Sequence, residues 1–215
     1  GIWLDWMTQG TRVTGNLLHD NQRRDLHSEV KHGPYLVDNN LFFSAVNLED
    51  SSTGGAYVHN LFAGAISKIR PQGRKTPYFK PHSTEIAGLH VTHGGDNRFL
   101  NNLFLGGHNL DDYANMKNMV IEGNHFAQAE PRLIQNDDGI YRLEFKSDLE
   151  PARETQRELV SSQALGTTVI SGLPFKLPGG DDFIIDKDYF GNPRDRQNPA
   201  AGPFNASTKT PVLLK

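Results

Sequence analysis

As far as Phe126, apolar and polar positions keep returning to one short phrase: an apolar residue, two variable residues, asparagine, an apolar residue or histidine, then leucine or phenylalanine. It reads Val13-Thr-Gly-Asn16-Leu-Leu18, Val37-Asp-Asn-Asn40-Leu-Phe42, Tyr57-Val-His-Asn60-Leu-Phe62, Phe99-Leu-Asn-Asn102-Leu-Phe104 and Ile121-Glu-Gly-Asn124-His-Phe126. Successive asparagines lie 24, 20, 42 and 22 residues apart. Three of these intervals fit one coil of a parallel β-helix, in which a single coil cannot bury its own apolar side and stacking supplies the core. The interval of 42 fits two coils, or one coil and an excursion. Residues three before and two after each asparagine then line the interior. The asparagine stands at a tight bend, where its amide can bond the next coil's backbone and tolerate a left-handed conformation. A four-stranded propeller blade needs about 40–45 residues, roughly twice this period. The expected fold is therefore all-β: a right-handed parallel β-helix with a long inserted loop and an irregular C-terminal tail.

Two regions follow. Residues 1–135 are expected to form the coils that carry the site, with an excursion over 63–95 where Pro71, Gly73, Pro77 and Pro81 interrupt the phrase. Long excursions from a solenoid gather on one face and often bind ligand. Residues 136–215 should pack along the solenoid. They offer a turn at Asp137-Asp-Gly139, a short helix from Pro151 to Leu165 ended by Gly166, a strand over Thr167–Ser171 and irregular chain from Asp186.

The same register makes a chemical prediction. Asp5 lies 11 residues before Asn16, and Glu29 lies 11 before Asn40, so the two occupy equivalent places on successive coils. Alternation along a strand turns Ile2 and Leu4 inward and Trp3 and Asp5 outward; likewise Leu26 and Val30 inward and His27, Glu29 and Lys31 outward. Neighbouring strands are about 4.7–4.9 Å apart, which would bring the two carboxyl groups to the ~5–5.5 Å that retaining glycosidases use rather than the ~6.5–9.5 Å of inverting ones. Asp5, between Trp3 and Trp6 and near Gln9, suits a nucleophile beside a sugar-stacking wall, and Glu29 suits the proton donor. His32 and, on the excursion, Lys80, His82 and Thr84 are candidate contacts to sugar hydroxyls. Stacked acids on a solenoid surface are more often solvated charges, or a calcium site, than a catalytic pair. Glu49, 11 before Asn60, would extend the row into a calcium-binding ladder. Structural calcium is thus an option, no cofactor is required, and the spacing of His82, His90 and His93 matches no metal motif.

Composition narrows the classes. Basic residues number 22 against 25 acidic ones, a net charge of −3, without the basic excess of a nucleic-acid binder. Mean hydropathy is −0.55, and no apolar run approaches the ~18–20 residues of a membrane span, so neither partner is expected. Cysteine is absent, which excludes thiol catalysis and disulfides. The opening Gly1-Ile-Trp-Leu-Asp5 reads as mid-strand, so the expected partners are an oligosaccharide and an N-terminal part of the same protein, with a homo-oligomer possible and the compartment unreadable. Two rivals share the fold. A polysaccharide lyase would want calcium on the acidic stack and Arg70, Lys75 or Lys80 as base; a glycan-binding or structural solenoid would want neither.

The run Gly1-Ile-Trp-Leu-Asp-Trp-Met-Thr-Gln-Gly-Thr-Arg-Val13 resembles the β-xylosidases of glycoside hydrolase family 120. So do Glu29-Val-Lys-His-Gly-Pro34 with Leu36-Val-Asp-Asn-Asn40, Gly54-Gly-Ala-Tyr-Val-His-Asn-Leu-Phe62 and Pro77-Tyr-Phe-Lys-Pro-His-Ser-Thr84. The tail adds Asp188-Tyr-Phe-Gly-Asn-Pro-Arg194 and Asn198-Pro-Ala-Ala-Gly-Pro-Phe204. The resemblance implies a right-handed parallel β-helix with an accessory β-sandwich region and retaining hydrolysis of β-xylosides. It implies Asp5 as nucleophile and Glu29 as acid/base. The residues before Glu29, Asp25-Leu-His-Ser, are more polar than such a strand would lead one to expect.

Overall fold

The repeated phrase turns a corner on every coil. In the computed structural model, which describes residues 1–68, 73–144, 155–206, 208 and 212–214, the residue before each asparagine is left-handed: Gly15, Asn39, His59, Asn101 and Gly123 have φ between 53° and 67°. The left-handed bend thus falls one place earlier than expected. The asparagine itself is freed to face the next coil. The backbone N–H and side-chain Nδ2 of Asn40 both donate to Asn60 Oδ1 at 3.0 Å, and the same pairing joins Asn16 to Asn40, Asn60 to Asn102 and Asn102 to Asn124.

Between corners the strands are only two to five residues long, and they stack into three parallel sheets. The first contains β1 (Ile2–Leu4), β4 (Leu26–Ser28), β7 (Val46–Asp50) and β10 (Ala65–Lys68). The second contains β2 (Arg12–Thr14), β5 (Tyr35–Asp38), β8 (Gly55–Val58), β13 (Arg98–Leu100) and β15 (Val120–Glu122). The third contains β3 (Leu17–Leu18), β6 (Leu41–Phe42), β9 (Leu61–Phe62), β14 (Leu103–Phe104) and β16 (His125–Phe126). This is a parallel β-helix. Strand β13 pairs directly with β8, so the 42-residue interval is one coil plus an excursion. Inside, Phe42, Phe62 and Phe104 stack with centroids 5.1 Å apart, the exposed Phe126 ends the column at 4.8 Å from Phe104, and Tyr57 stacks on Phe99 at 4.6 Å.

The excursion is shorter and more regular than the expected loop over 63–95. Its first part is the coil strand β10, paired with β7; then come β11 (Lys75–Phe79) and β12 (Ile86–Val91), an antiparallel hairpin. Pro77 is accommodated within this two-stranded ribbon, where both strands are edges. Pro71 and Arg70 lie outside the described residues. A one-turn helix, α1 (Asp111–Ala114), interrupts the last full coil.

Among the described residues the C-terminal region consists of short strands, turns and one helical turn packed along the solenoid. It contributes an antiparallel sheet of β17 (Arg132–Gln135), β18 (Tyr141–Glu144) and β19 (Val212–Leu214), with the expected turn at Asp137–Gly139 joining the first two. Helix α2 (Ser162–Leu165) is capped by Ser161 and ends at Gly166, but it is a single turn; residues 151–154 lie outside the described set. Thr167–Ser171 forms a turn rather than the expected strand, closed by Gly172 N–H donating to Thr168 O at 3.0 Å. This chain covers two outer faces of the solenoid. Val160, Leu165, Phe175 and Ile185 pack on the second sheet; Leu143, Phe204, Val212 and Leu214 pack on the third. Arg194 of the tail donates to Asn39 Oδ1 at 2.6 Å. The C-terminal chain leaves the outer face of the first sheet uncovered, and Trp3 is exposed there.

Candidate active site

On that open face β1 and β4 run in register, with Trp3 opposite His27 and Leu4 opposite Ser28. The register continues one residue further, because Glu29 N–H donates to Leu4 O at 2.9 Å. Asp5 and Glu29 therefore follow paired residues on adjacent strands. Asp5 is exposed and its Oδ1 accepts the Trp6 N–H at 2.6 Å. Glu29 is half-buried, and its Oε2 accepts the Trp3 indole N–H at 3.1 Å, while Arg74 from the hairpin donates to Oε1. His27 Nε2 stands 3.5 Å from Glu29 Oε2, and burial followed by the charge of Arg24 pushes His27 below the usual imidazole range. Trp3 and Trp6 are 63% and 43% exposed, two uncovered indoles flanking a carboxylate. Such amphipathic rings offer a flat apolar surface to one face of a sugar ring.

Three side chains tie the hairpin to this rim. Trp6 Nε1 donates to Thr76 Oγ1 at 3.2 Å; Gln9 donates from Nε2 to Phe79 O at 3.2 Å and accepts Phe79 N–H at Oε1 at 3.1 Å. His32 is buried, with Nδ1 3.1 Å from Thr53 Oγ1 and Nε2 3.0 Å from His90 O. Gln9 and His32, expected as sugar contacts, thus spend their polar atoms on the protein and act as anchors. Lys80, His82 and Thr84 lie exposed around the hairpin tip, and Lys80 pairs with Glu85. Lys80 and His82, with Gln9, Pro34 and Phe79, border a cleft of about 370 Å³ closed by the segment 173–178. Asp5 and Glu29 do not line that cleft, nor does Thr84.

Two expectations about register are corrected. Glu49 stands opposite His27, not Glu29, because the turn from Lys31 to Tyr35 has two more residues than the matching turn from Thr53 to Gly55. The acidic ladder is broken there, and Glu49 pairs with Arg24 instead. Among the described residues no group of three histidine or acidic side chains gathers as a cation site. Lys31, expected outside, is wholly buried. Val30 has a φ of 25°, so alternation breaks at that residue and the next side chain turns into the solenoid. Arg74 is a neighbour of Glu29 that the repeat register could not find, since it arrives from the hairpin.

The solved structure of XylC in complex with xylose matches the whole of this chain, with a TM-score of 0.81 and 28% sequence identity. The chain spans 40% of that chain. No protein-family model and no curated protein matches this sequence.

Proposed function

We propose that this chain carries the two-carboxylate centre of a retaining glycoside hydrolase that removes β-linked xylose, or a related sugar, from oligosaccharides. The observation that carries this reading is the pairing of Leu4 with Ser28, which puts the backbones of the next residues, Asp5 and Glu29, side by side at an inter-strand spacing of ~4.7–4.9 Å, compatible with the ~5–5.5 Å between the carboxyl groups of retaining enzymes. The likeness to XylC with its bound xylose supports the sugar, and the motifs shared with family 120 β-xylosidases support the bond cleaved.

In the first step Asp5 attacks the anomeric carbon as the glycosidic C–O bond breaks, and Glu29 gives its proton to the departing oxygen. In the second, Glu29 takes a proton from water, whose oxygen displaces Asp5 and regenerates the carboxylate. Trp3 and Trp6 flank the sugar. Arg74 moves off Glu29 to let the carboxyl reach the leaving oxygen. Lys80, His82 and Thr84 meet the remainder of the substrate at the hairpin tip.

The test uses the full-length protein on a panel of nitrophenyl glycosides, with proton NMR of the first-formed anomer. Release of β-xylose before mutarotation is expected; α-xylose first would refute retention. Glu29→Ala is expected to lower kcat on xylo-oligosaccharides by ~10²–10⁴-fold. Asp5→Gly is expected to be inactive until azide supplies the nucleophile, and azide rescue of some other acid instead would remove Asp5 from the role.

A further inference from the structure

Most of the solenoid interior is a column of leucine and phenylalanine, but directly behind Asp5 and Glu29 it is polar. Ser28 and Asp50 are inward, wholly buried register partners on β4 and β7. Asp50 accepts from Asn97 Nδ2 at 2.9 Å, from Tyr57 Oη at 3.2 Å and from Ser52 N–H at 2.8 Å. Lys31 enters this cluster. Its Nζ donates to Ser28 Oγ at 2.5 Å and to Leu4 O at 3.3 Å, and stands 4.2 Å from the centre of the Tyr35 ring.

These partners stand directly before the two acids in the chain. The Leu4 carbonyl belongs to the peptide bond that begins Asp5, and it accepts both Glu29 N–H and the Lys31 ammonium. Ser28 is the residue before Glu29. We propose that Lys31 is a positioning residue: from inside the solenoid its ammonium joins the end of β1 to the end of β4, and so holds Asp5 and Glu29 at a fixed separation with a positive charge behind both. For its consequence in turnover this rests on the hydrolase reading of those two acids.

Charge and geometry agree. The groups facing the ammonium are Asp50 of β7, Asp5 after β1, Glu29 after β4 and the Tyr35 ring of β5. Burial outweighs the pull of the three acids and brings Lys31 down to about 7. A lysine kept for packing alone could be replaced by an apolar side chain without loss of function, since buried ion pairs seldom stabilise more than apolar isosteres.

The experiment compares wild type, Lys31→Met and the double variant Lys31→Met/Asp50→Asn, which leaves no unpaired charge inside. Each is measured in the full-length chain by thermal melting, by the pH profile of kcat/KM on p-nitrophenyl β-xyloside, and by ¹³C NMR titration of the Asp5 and Glu29 carboxyls. Loss of the positive charge is expected to move the acidic limb of the profile, and the carboxyl midpoints, upward by about half a pH unit or more. Loosened spacing is expected to lower kcat on the order of tenfold while the double variant still melts as wild type does. A folded variant with the wild-type profile and midpoints overturns the proposal. So does failure of both variants to fold, which would leave Lys31 a purely structural residue. Should wild type cleave no glycoside, the hydrolase reading fails by itself, and the carboxyl midpoints alone decide for or against Lys31.

Discussion

Val30 is a β-branched residue in the left-handed region, an arrangement that costs about 1–3 kcal/mol and persists only where its surroundings over-determine it. Here the bend decides on which side of the wall a lysine lies. Close by, Gly33 has a φ of 48°, and a Cβ there would meet Gly54 O at 2.1 Å, so the turn after Lys31 admits glycine alone. Burying Lys31 has a thermodynamic signature with a definite sign. Unfolded, the lysine keeps its proton up to its ordinary value of 10.5; folded, it releases it near 7. Between these values the unfolded chain binds more protons, so stability rises with pH; below 7 the full penalty is present, and above 10.5 it is gone. Wild type is therefore expected to gain on the order of a few kcal/mol on Lys31→Met as pH climbs through this window. Parallel stability curves for the two proteins from pH 6 to 10 would show that the ammonium is solvated instead.

Strands of two or three residues do not persist alone, and the elements of this molecule exist because each corner is bonded to the next. Asn60 shows the dependence. Its Oδ1 accepts two bonds from Asn40, and its Nδ2 donates to Val37 O at 2.8 Å and Asn102 Oδ1 at 3.0 Å, all in the buried interior. Asn60→Ala leaves several of these groups unpaired and is expected to cost about 3 kcal/mol or more, read by denaturant unfolding. An effect below about 1 kcal/mol would mean that water replaces the ladder. The five asparagines and their corners were legible in the sequence because the repeat forces the same bond at every coil. The hairpin was not: Pro77, Pro81 and Gly73 mark irregularity, while the contacts that order the ribbon come from Trp6, Gln9 and His32, some 58 to 70 residues away.

For the whole molecule, exposure of the first sheet follows from coverage of the other two. The C-terminal chain buries the outer faces of the second and third sheets and leaves the Trp3 and Glu29 row facing outward. Arg98 is one of the bolts. It is buried on the second sheet, paired with Asp96, and donates to Leu165 O at 3.0 Å and Thr167 O at 2.7 Å in the covering chain. Arg98→Met removes the cation paired with buried Asp96 and the donor to three backbone carbonyls, those of Asp96, Leu165 and Thr167, and is expected to destabilise by about 3–5 kcal/mol, with protease cleavage appearing first between residues 155 and 186. Cleavage that instead begins within the coils would show that the cover and the solenoid unfold together.

What the amino-acid order determined by itself was everything that repeats: the coil, its stacked apolar interior, its asparagine corners, and the matching places of Asp5 and Glu29, 11 residues before their corners. A period averages over many coils, so a local departure in any one of them does not erase it. Only the tertiary structure decided what happens once: Lys31 turning inward at Val30, Glu49 slipping to face His27, Arg74 arriving at Glu29 from the hairpin, and two outer faces covered while one stays open. Each of these depends on a turn length, a single backbone angle or a contact across distant sequence, and a repeating pattern carries no information about them.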